Sequence, residues 1–144
     1  MSIYIVDASV GIKWYVQEVD TTFALRVTSK HHELHAPDFF LIETDNILCK
    51  RIRRGELAPM DVGEIRRLLR NIPMKIHAVP EFQDEAFDLA VRTRRSIYDC
   101  LYLALAVRLG GQMVTADRRF YDSLGKEPLG KYVAWVGDVG EPPT

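Results

Sequence analysis

Two hydrophobic periodicities alternate along this chain, and that alternation restricts its fold more than any other feature. Short apolar runs rich in β-branched and aromatic residues recur between longer stretches with helical spacing. The run Ile3-Tyr4-Ile5-Val6 reads as a buried strand over residues 2–6. A helix is expected over residues 8–16, with Ile12 and Val16 on one face. Asp20 is placed to cap a second helix that reaches residue 30. Leu34-His35-Ala36 reads as a weak strand ended by Pro37. Asp38 is then expected to cap a helix over residues 39–54, with Gly55 as its stop. Pro59 and Asp61 open another helix, in which Ile65, Leu68 and Leu69 are apolar. Lys75 to Val79 is a strand candidate, and Pro80 and Glu81 start a helix that turns Ala86, Leu89 and Ala90 inward. Residues Tyr98 to Leu109 are apolar nearly all round, so the helix they form must be buried, and Gly110-Gly111 breaks it. Gln112 to Thr115 is a strand, Asp117 to Leu124 a short helix, and Tyr132 to Val136 the last strand. Strands that alternate with helices imply an α/β fold with a mostly parallel, roughly five-stranded sheet covered on both faces. A length of 144 residues fits one domain, expected over residues 1–139, with 140–144 as a frayed tail. No internal repeat, low-complexity stretch or linker interrupts it.

Four acids break this pattern. Asp7 ends the first apolar run, Glu43 directly follows the apolar run Phe39-Phe40-Leu41-Ile42, Asp99 opens the apolar helix, and Asp117 follows Met113-Val114-Thr115. In open parallel sheets, ligands bind beyond the carboxyl ends of the strands, and the following helices begin at that same edge. The topology therefore aims all four acids at one edge. Like charges within about 4 Å repel by several kcal/mol at a protein-like dielectric, so converging carboxylates need a cation. A hard ion of the magnesium type takes carboxylate oxygens, which points to metal-assisted phosphate chemistry. Each acid also has a plainer reading. Asp99 and Asp117 are suited to cap helices, and Glu43 to a solvated helix face. Ser9, two past Asp7, offers a hydroxyl near a helix start. Asn46 lies one turn after Glu43 on the same face, continued by Lys50 and by Arg53 or Arg54. Thr115 precedes Asp117 by two and is expected to point the same way.

The formal net charge of -1 does not announce a nucleic-acid binder. Local charge differs: Lys50, Arg51, Arg53 and Arg54 cluster, followed by Arg66, Arg67 and Arg70, then Arg92, Arg94 and Arg95, then Arg118 and Arg119. Such clusters serve as solvated helix faces, or hold a polyanion around an acidic metal site. Cys49 and Cys100 lie inside helical patterns and read as free buried thiols in a reducing compartment. The stretch Met1 to Val16 lacks the features of a signal peptide. No apolar run approaches the roughly 20 residues that span a bilayer, so a cytoplasmic protein without membrane contact is expected.

Taken together, these motifs resemble those of PIN-domain proteins. Tyr4-Ile5-Val6-Asp7-Ala8-Ser9-Val10, with Lys13-Trp14 after it, is similar to the family's opening motif. Pro37 followed by Glu43, Asn46 and Leu48 resembles the second motif. Tyr98-Asp99-Cys100-Leu101-Tyr102-Leu103-Ala104-Leu105-Ala106 resembles the third, and Val114-Thr115-Ala116-Asp117 with Phe120 the fourth. The resemblance covers residues 3 to 136, and the compact size is similar to VapC-like toxins of toxin–antitoxin pairs. It implies a three-layer α/β/α fold and a magnesium- or manganese-dependent endoribonuclease. It assigns Asp7, Glu43, Asp99 and Asp117 as the catalytic quartet, with Asp7, Asp99 and Asp117 as the main metal ligands. Ser9, Asn46 and Thr115 match supporting polar positions. Lys50, Arg53, Arg54 and Arg118 are the candidate RNA contacts. Cys100 stands where a small Ala is usual, and its thiol is a possible point of oxidation. Kinship further implies a homodimer and an antitoxin whose extended tail covers the groove. The expected products carry 5′-phosphate and 3′-hydroxyl ends.

Competing readings differ in class. A haloacid-dehalogenase phosphatase needs two aspartates two apart after the first strand, whereas Asp7 is followed by Ala8 and Ser9. A response-regulator receiver needs an acidic pair there and a lysine after a late strand. A non-catalytic PIN-like scaffold for RNA or protein, or a housekeeping nuclease without an antitoxin, is the alternative. His31-His32-Glu33-Leu34-His35 invites a zinc reading, but His32 and His35 are three apart rather than four, and the segment reads as a polar loop before a strand.

Overall fold

The structure is a computed structural model that describes residues 2–16, 32–125 and 128–139. Five strands form one sheet: β1 (Ser2–Val6), β2 (His32–Pro37), β3 (Lys75–His77), β4 (Gln112–Thr115) and β5 (Val133–Trp135). Their order is β3-β2-β1-β4-β5, and every pairing is parallel. Ile5 and Val6 point to opposite sides of β1, yet both are fully buried. Both faces of the sheet are therefore covered, as the alternation predicted, in the three-layer α/β/α arrangement that the resemblance implied.

Six helices are described: α1 (Ala8–Lys13), α2 (Phe39–Arg53), α3 (Pro59–Arg70), α4 (Gln83–Thr93), α5 (Ile97–Leu109) and α6 (Arg118–Leu124). α5 buries every residue from Cys100 to Ala106 and lies against β1, β2 and β4, with α4 alongside it. That placement is why its sequence has no polar face. Ser96 caps its start, and Gly110 ends it at φ +67°, a conformation that a side chain disfavours. α1 packs on α2, and a bidentate pair ties α2 to α3, with Arg66 Nε and Nη2 donating to Asp45 at 2.8 and 3.1 Å.

Several local expectations are corrected. Asp38 does not cap α2: its backbone is already helical and its side chain makes no capping bond. Instead its carboxylate accepts from the Val79 N–H at 3.4 Å. The segment from His32 is not a loop but the first half of β2. His35 is buried there because its ring bonds Glu33 Oε1 at 2.6 Å and His77 Nε2 at 2.8 Å. Pairing with neighbouring strands, invisible in local sequence, turns a polar stretch into sheet. Pro80 and Glu81 form a 3₁₀ turn (Val79–Glu81) ahead of α4 rather than its first residues. Cys49 is exposed, and Cys100 alone of the two thiols is buried. The helix expected from Asp20, His31 and the tail at 140–144 lie outside the described residues. No helix of the described residues is long and apolar enough to cross a membrane.

Candidate active site

The sheet order locates the site before any side chain is considered. A crevice opens beyond the carboxyl ends of parallel strands where the strand order reverses. The reversal here lies between β1 and β4. Asp7 is the first residue past β1, and Asp117 lies two past β4. Both also cap the helices that follow. Asp7 Oδ1 accepts from the Ser9 N–H and Asp117 Oδ1 from the Phe120 N–H, each at 3.1 Å. Capping and site roles are therefore compatible, because a cap uses one carboxylate oxygen and leaves the second available. Asp99 is not the cap of α5. Ser96 Oγ fills that role by accepting the Asp99 N–H at 3.1 Å, and Asp99 sits in the first turn. Glu43 lies in the second turn of α2.

These four elements bring the acids into one electrostatic environment. Burial raises the Asp7 carboxyl to about 7, with Asp99 and Asp117 adding to the rise against the Ser9 N–H. Burial, then Asp7 and Asp99, raises Glu43 to about 8. Asp99 is raised too, chiefly by burial and further by Asp117, while the Ser96 hydroxyl and Arg95 oppose the shift. Like charges in a poorly solvated site resist joint ionisation, and Asp7, Glu43 and Asp99 each feel at least one other acid. Two buried hydroxyls stand in the same neighbourhood: Ser9 Oγ beside the Asp7 carboxyl and Tyr102 Oη beside that of Glu43. Burial, Asp7 and Glu43 together push the Tyr102 phenol well above its usual range.

Buried hydroxyls and crowded carboxyls are a donor set of hard oxygens. Among the described residues, no three His, Cys, Asp or Glu side chains close on a single metal-sized point. Carboxylate and hydroxyl oxygens are the donors that a hard cation takes, and magnesium needs only one or two protein carboxylates because it keeps several waters. The residues present fit a hard divalent cation.

The supporting residues divide. Thr115 is fully buried, and its Oγ1 accepts the Asp117 N–H at 3.0 Å, so it shapes the turn that carries Asp117. Asn46 and Lys50 line a groove of about 620 Å³ with Glu43, Tyr98 and Asp99. Arg53 and Arg54 are exposed at the far end of α2 and do not line that groove. Arg118 pairs with Asp122 at 3.2 Å, its guanidinium 5.4 Å and 5.1 Å from the ring centres of Tyr121 and Trp135. Two cations were missed as site residues. Lys13 and Arg51 line a recess of about 190 Å³ with Ser9 and Asp117. The signal was present: Lys13 is one turn after Ser9 on α1, and Arg51 one turn after Ile47 on α2. Cys100, beside Asp99, is buried and its thiol is raised by that burial. That environment disfavours the thiolate that oxidation requires.

The pattern of the PIN domain family matches residues 4–123. Ribonuclease VapC3 of Pyrobaculum aerophilum is 35% identical over 117 residues, which span 80% of this chain and 89% of that protein. Among solved structures, PAE2754 of Pyrobaculum aerophilum superposes with a TM-score of 0.66 at 22% identity, covering 85% of this chain and 79% of that one. A toxin–antitoxin complex from Klebsiella pneumoniae superposes with a TM-score of 0.60 at 13% identity, covering 99% of this chain and 100% of that one. At such identities the two structures share the fold.

Proposed function

Since the chain belongs to the PIN domain family, we propose that it is a metal-dependent endoribonuclease and the toxin of a toxin–antitoxin pair. One observation carries the reading. Four acids from four separate elements couple electrostatically at the reversal point of the sheet, with the carboxyls of Asp7 and Glu43 held near neutrality. The identity to a protein named a ribonuclease supports RNA as substrate. The likeness to a toxin–antitoxin complex agrees with an antitoxin partner.

Asp7, Asp99 and Asp117 would hold one or two Mg²⁺ or Mn²⁺ ions. Such an ion, when bound, lowers the pKa of water and offsets charge on the phosphate. Burial, Asp7 and Asp99 favour the protonated form of Glu43, and a bound cation would favour its carboxylate, which would orient the attacking water and accept its proton. The water oxygen bonds to phosphorus, the P–O3′ bond breaks, and the products carry 5′-phosphate and 3′-hydroxyl ends. Lys13 and Arg51, beside Asp117, face the scissile phosphate. Lys50 and Arg118 hold flanking phosphates, and Arg53 and Arg54, outside the groove, meet only more distant ones; such contacts position RNA without reading its sequence. Thr115 and Ser9 shape the acidic turns, and Asn46 lines the approach. The active species is a homodimer. An antitoxin silences it by laying a basic residue against the acids.

The test is cleavage of a structured RNA pool by purified protein with Mg²⁺ or Mn²⁺ and with EDTA, followed by analysis of the new ends. Metal-dependent cutting that leaves 5′-phosphates is expected. Cutting that persists in EDTA, or ends of the opposite chemistry, would contradict the reading.

A further inference from the structure

The groove beside the acids contains an aromatic pair that the chemistry above does not use. Tyr98, the residue before Asp99, is 56% exposed in the first turn of a helix that is buried from Cys100 to Ala106. Its ring stacks on Phe39 at the start of α2, with centroids 5.1 Å apart and planes 15° from parallel. Ile42, on the same stretch of α2, is 67% exposed. Large apolar side chains left open together mark a binding surface. This surface is continuous with the acid cluster, since Phe39, Ile42 and Tyr98 share one groove with Glu43, Asp99 and Lys50.

What occupies it follows from the mixture of groups. Along α2, Phe39, Ile42, Glu43, Asn46 and Lys50 recur at helical spacing, so apolar, amide and cationic groups alternate on one face. A nucleotide is amphiphilic in the same order: a flat base for stacking, polar edges for an amide, and a phosphate for a cation. Single-stranded nucleic acid is held in this way, on aromatic platforms flanked by basic groups. A purely apolar peptide segment would satisfy Phe39 and Ile42 but would strand Asn46 and Lys50.

We propose that Tyr98, backed by Phe39, is a stacking shelf for an unpaired RNA base adjacent to the scissile phosphate. Asn46 offers its amide to that base, and Lys50 contacts the next phosphate. The shelf rests on the ribonuclease reading and deepens it. It favours unpaired substrate, because a base held in a duplex cannot present its face to Tyr98.

The test uses the full chain and a short fluorescein-labelled single-stranded RNA, alongside versions with one abasic site moved through the sequence. Tyr98 is exposed, so Tyr98→Ala is expected to fold, as a thermal melt will verify. Stacking losses at such platforms predict about tenfold or more weaker binding for Tyr98→Ala, and near-normal binding for Tyr98→Phe. One abasic position should weaken wild type by a similar factor and leave Tyr98→Ala unaffected. Equal affinity of wild type and Tyr98→Ala, or an abasic penalty that survives the substitution, overturns the shelf. Unchanged RNA binding with weakened capture of a protein partner also overturns it, in favour of protein docking. Wild-type protein that neither binds nor cuts RNA with Mg²⁺ or Mn²⁺ removes the ribonuclease reading itself. Wild-type cutting that is indifferent to Tyr98→Ala removes the shelf alone.

Discussion

At the scale of single residues, the site and the stability of the chain oppose each other. Asp7 is buried among other acids, and its folded-state carboxyl is raised to about 7 from an ordinary value of 3.8. Glu43 is raised to about 8 from 4.5. A raised carboxyl means that the folded chain binds more protons than the unfolded chain between about pH 4 and pH 8. Stability then falls as pH rises through that window. Thermal melts in EDTA should therefore show a lower Tm at pH 8 than at pH 5; a flat profile would contradict the shifts. Asp7→Asn removes the charge but keeps a good helix cap, since Asn accepts from the Ser9 N–H as Asp does. It should raise stability in EDTA by several kcal/mol at pH 8 and by clearly less at pH 5, while abolishing cleavage. Denaturant curves at the two pH values check this. The capping bonds of Asp7 and Asp117 also show what sequence alone hides. An acid at a strand end reads equally as cap or ligand, and only the sheet order shows that one carboxyl is placed to serve as both. The positions of Lys13 and Arg51 were harder to read, because which helical face meets the site depends on how α1 packs on α2.

Among elements, the contact between α1 and α2 sets the distance between Asp7 and Glu43. Gly11 makes that contact possible: a Cβ there would meet Phe40 ring carbons at 2.7 and 2.8 Å. Phe40 is fully buried and cannot turn away. Gly11→Ala gains roughly 1 kcal/mol of helix propensity but overpacks the core by about 1–3 kcal/mol, so a net loss of about 1 kcal/mol is expected. Cleavage should fall with it, as α1 and its acid move off α2. Urea unfolding together with activity of the same variant checks both, and unchanged activity would show that this spacing is not critical. Strongly periodic elements were legible in advance. The uniform apolarity from Tyr98 to Leu109 and the β-branched run before Asp7 leave one reading each. Elements held by partners were not: in β2, His35 is satisfied by Glu33 on its own strand and by His77 across the sheet. Asp38 looked like a cap, but the chain enters α2 already in helical conformation, and its carboxylate turns to Val79 instead.

For the whole molecule, the account holds that one cation resolves the crowding that four elements create. A ligand that binds only the folded chain stabilises it. Because binding must displace protons from the raised carboxyls, that stabilisation grows with pH. Mn²⁺ should therefore raise Tm more at pH 8 than at pH 6, and in Asp7→Asn the increment should largely vanish; an equal increment at both pH values would argue against displacement. The central claim is that Asp7, Glu43, Asp99 and Asp117 act as a unit, and groups that act as a unit lose activity non-additively. The most direct measurement is RNA cleavage with Mg²⁺ by folded Asp7→Asn, Glu43→Gln, Asp99→Asn and Asp117→Asn, beside the Asp7→Asn/Asp99→Asn pair. The account predicts that each single variant loses about 100-fold or more and that the pair is scarcely worse than either alone. A variant that retains near-normal cleavage, or a pair whose losses multiply, would contradict it.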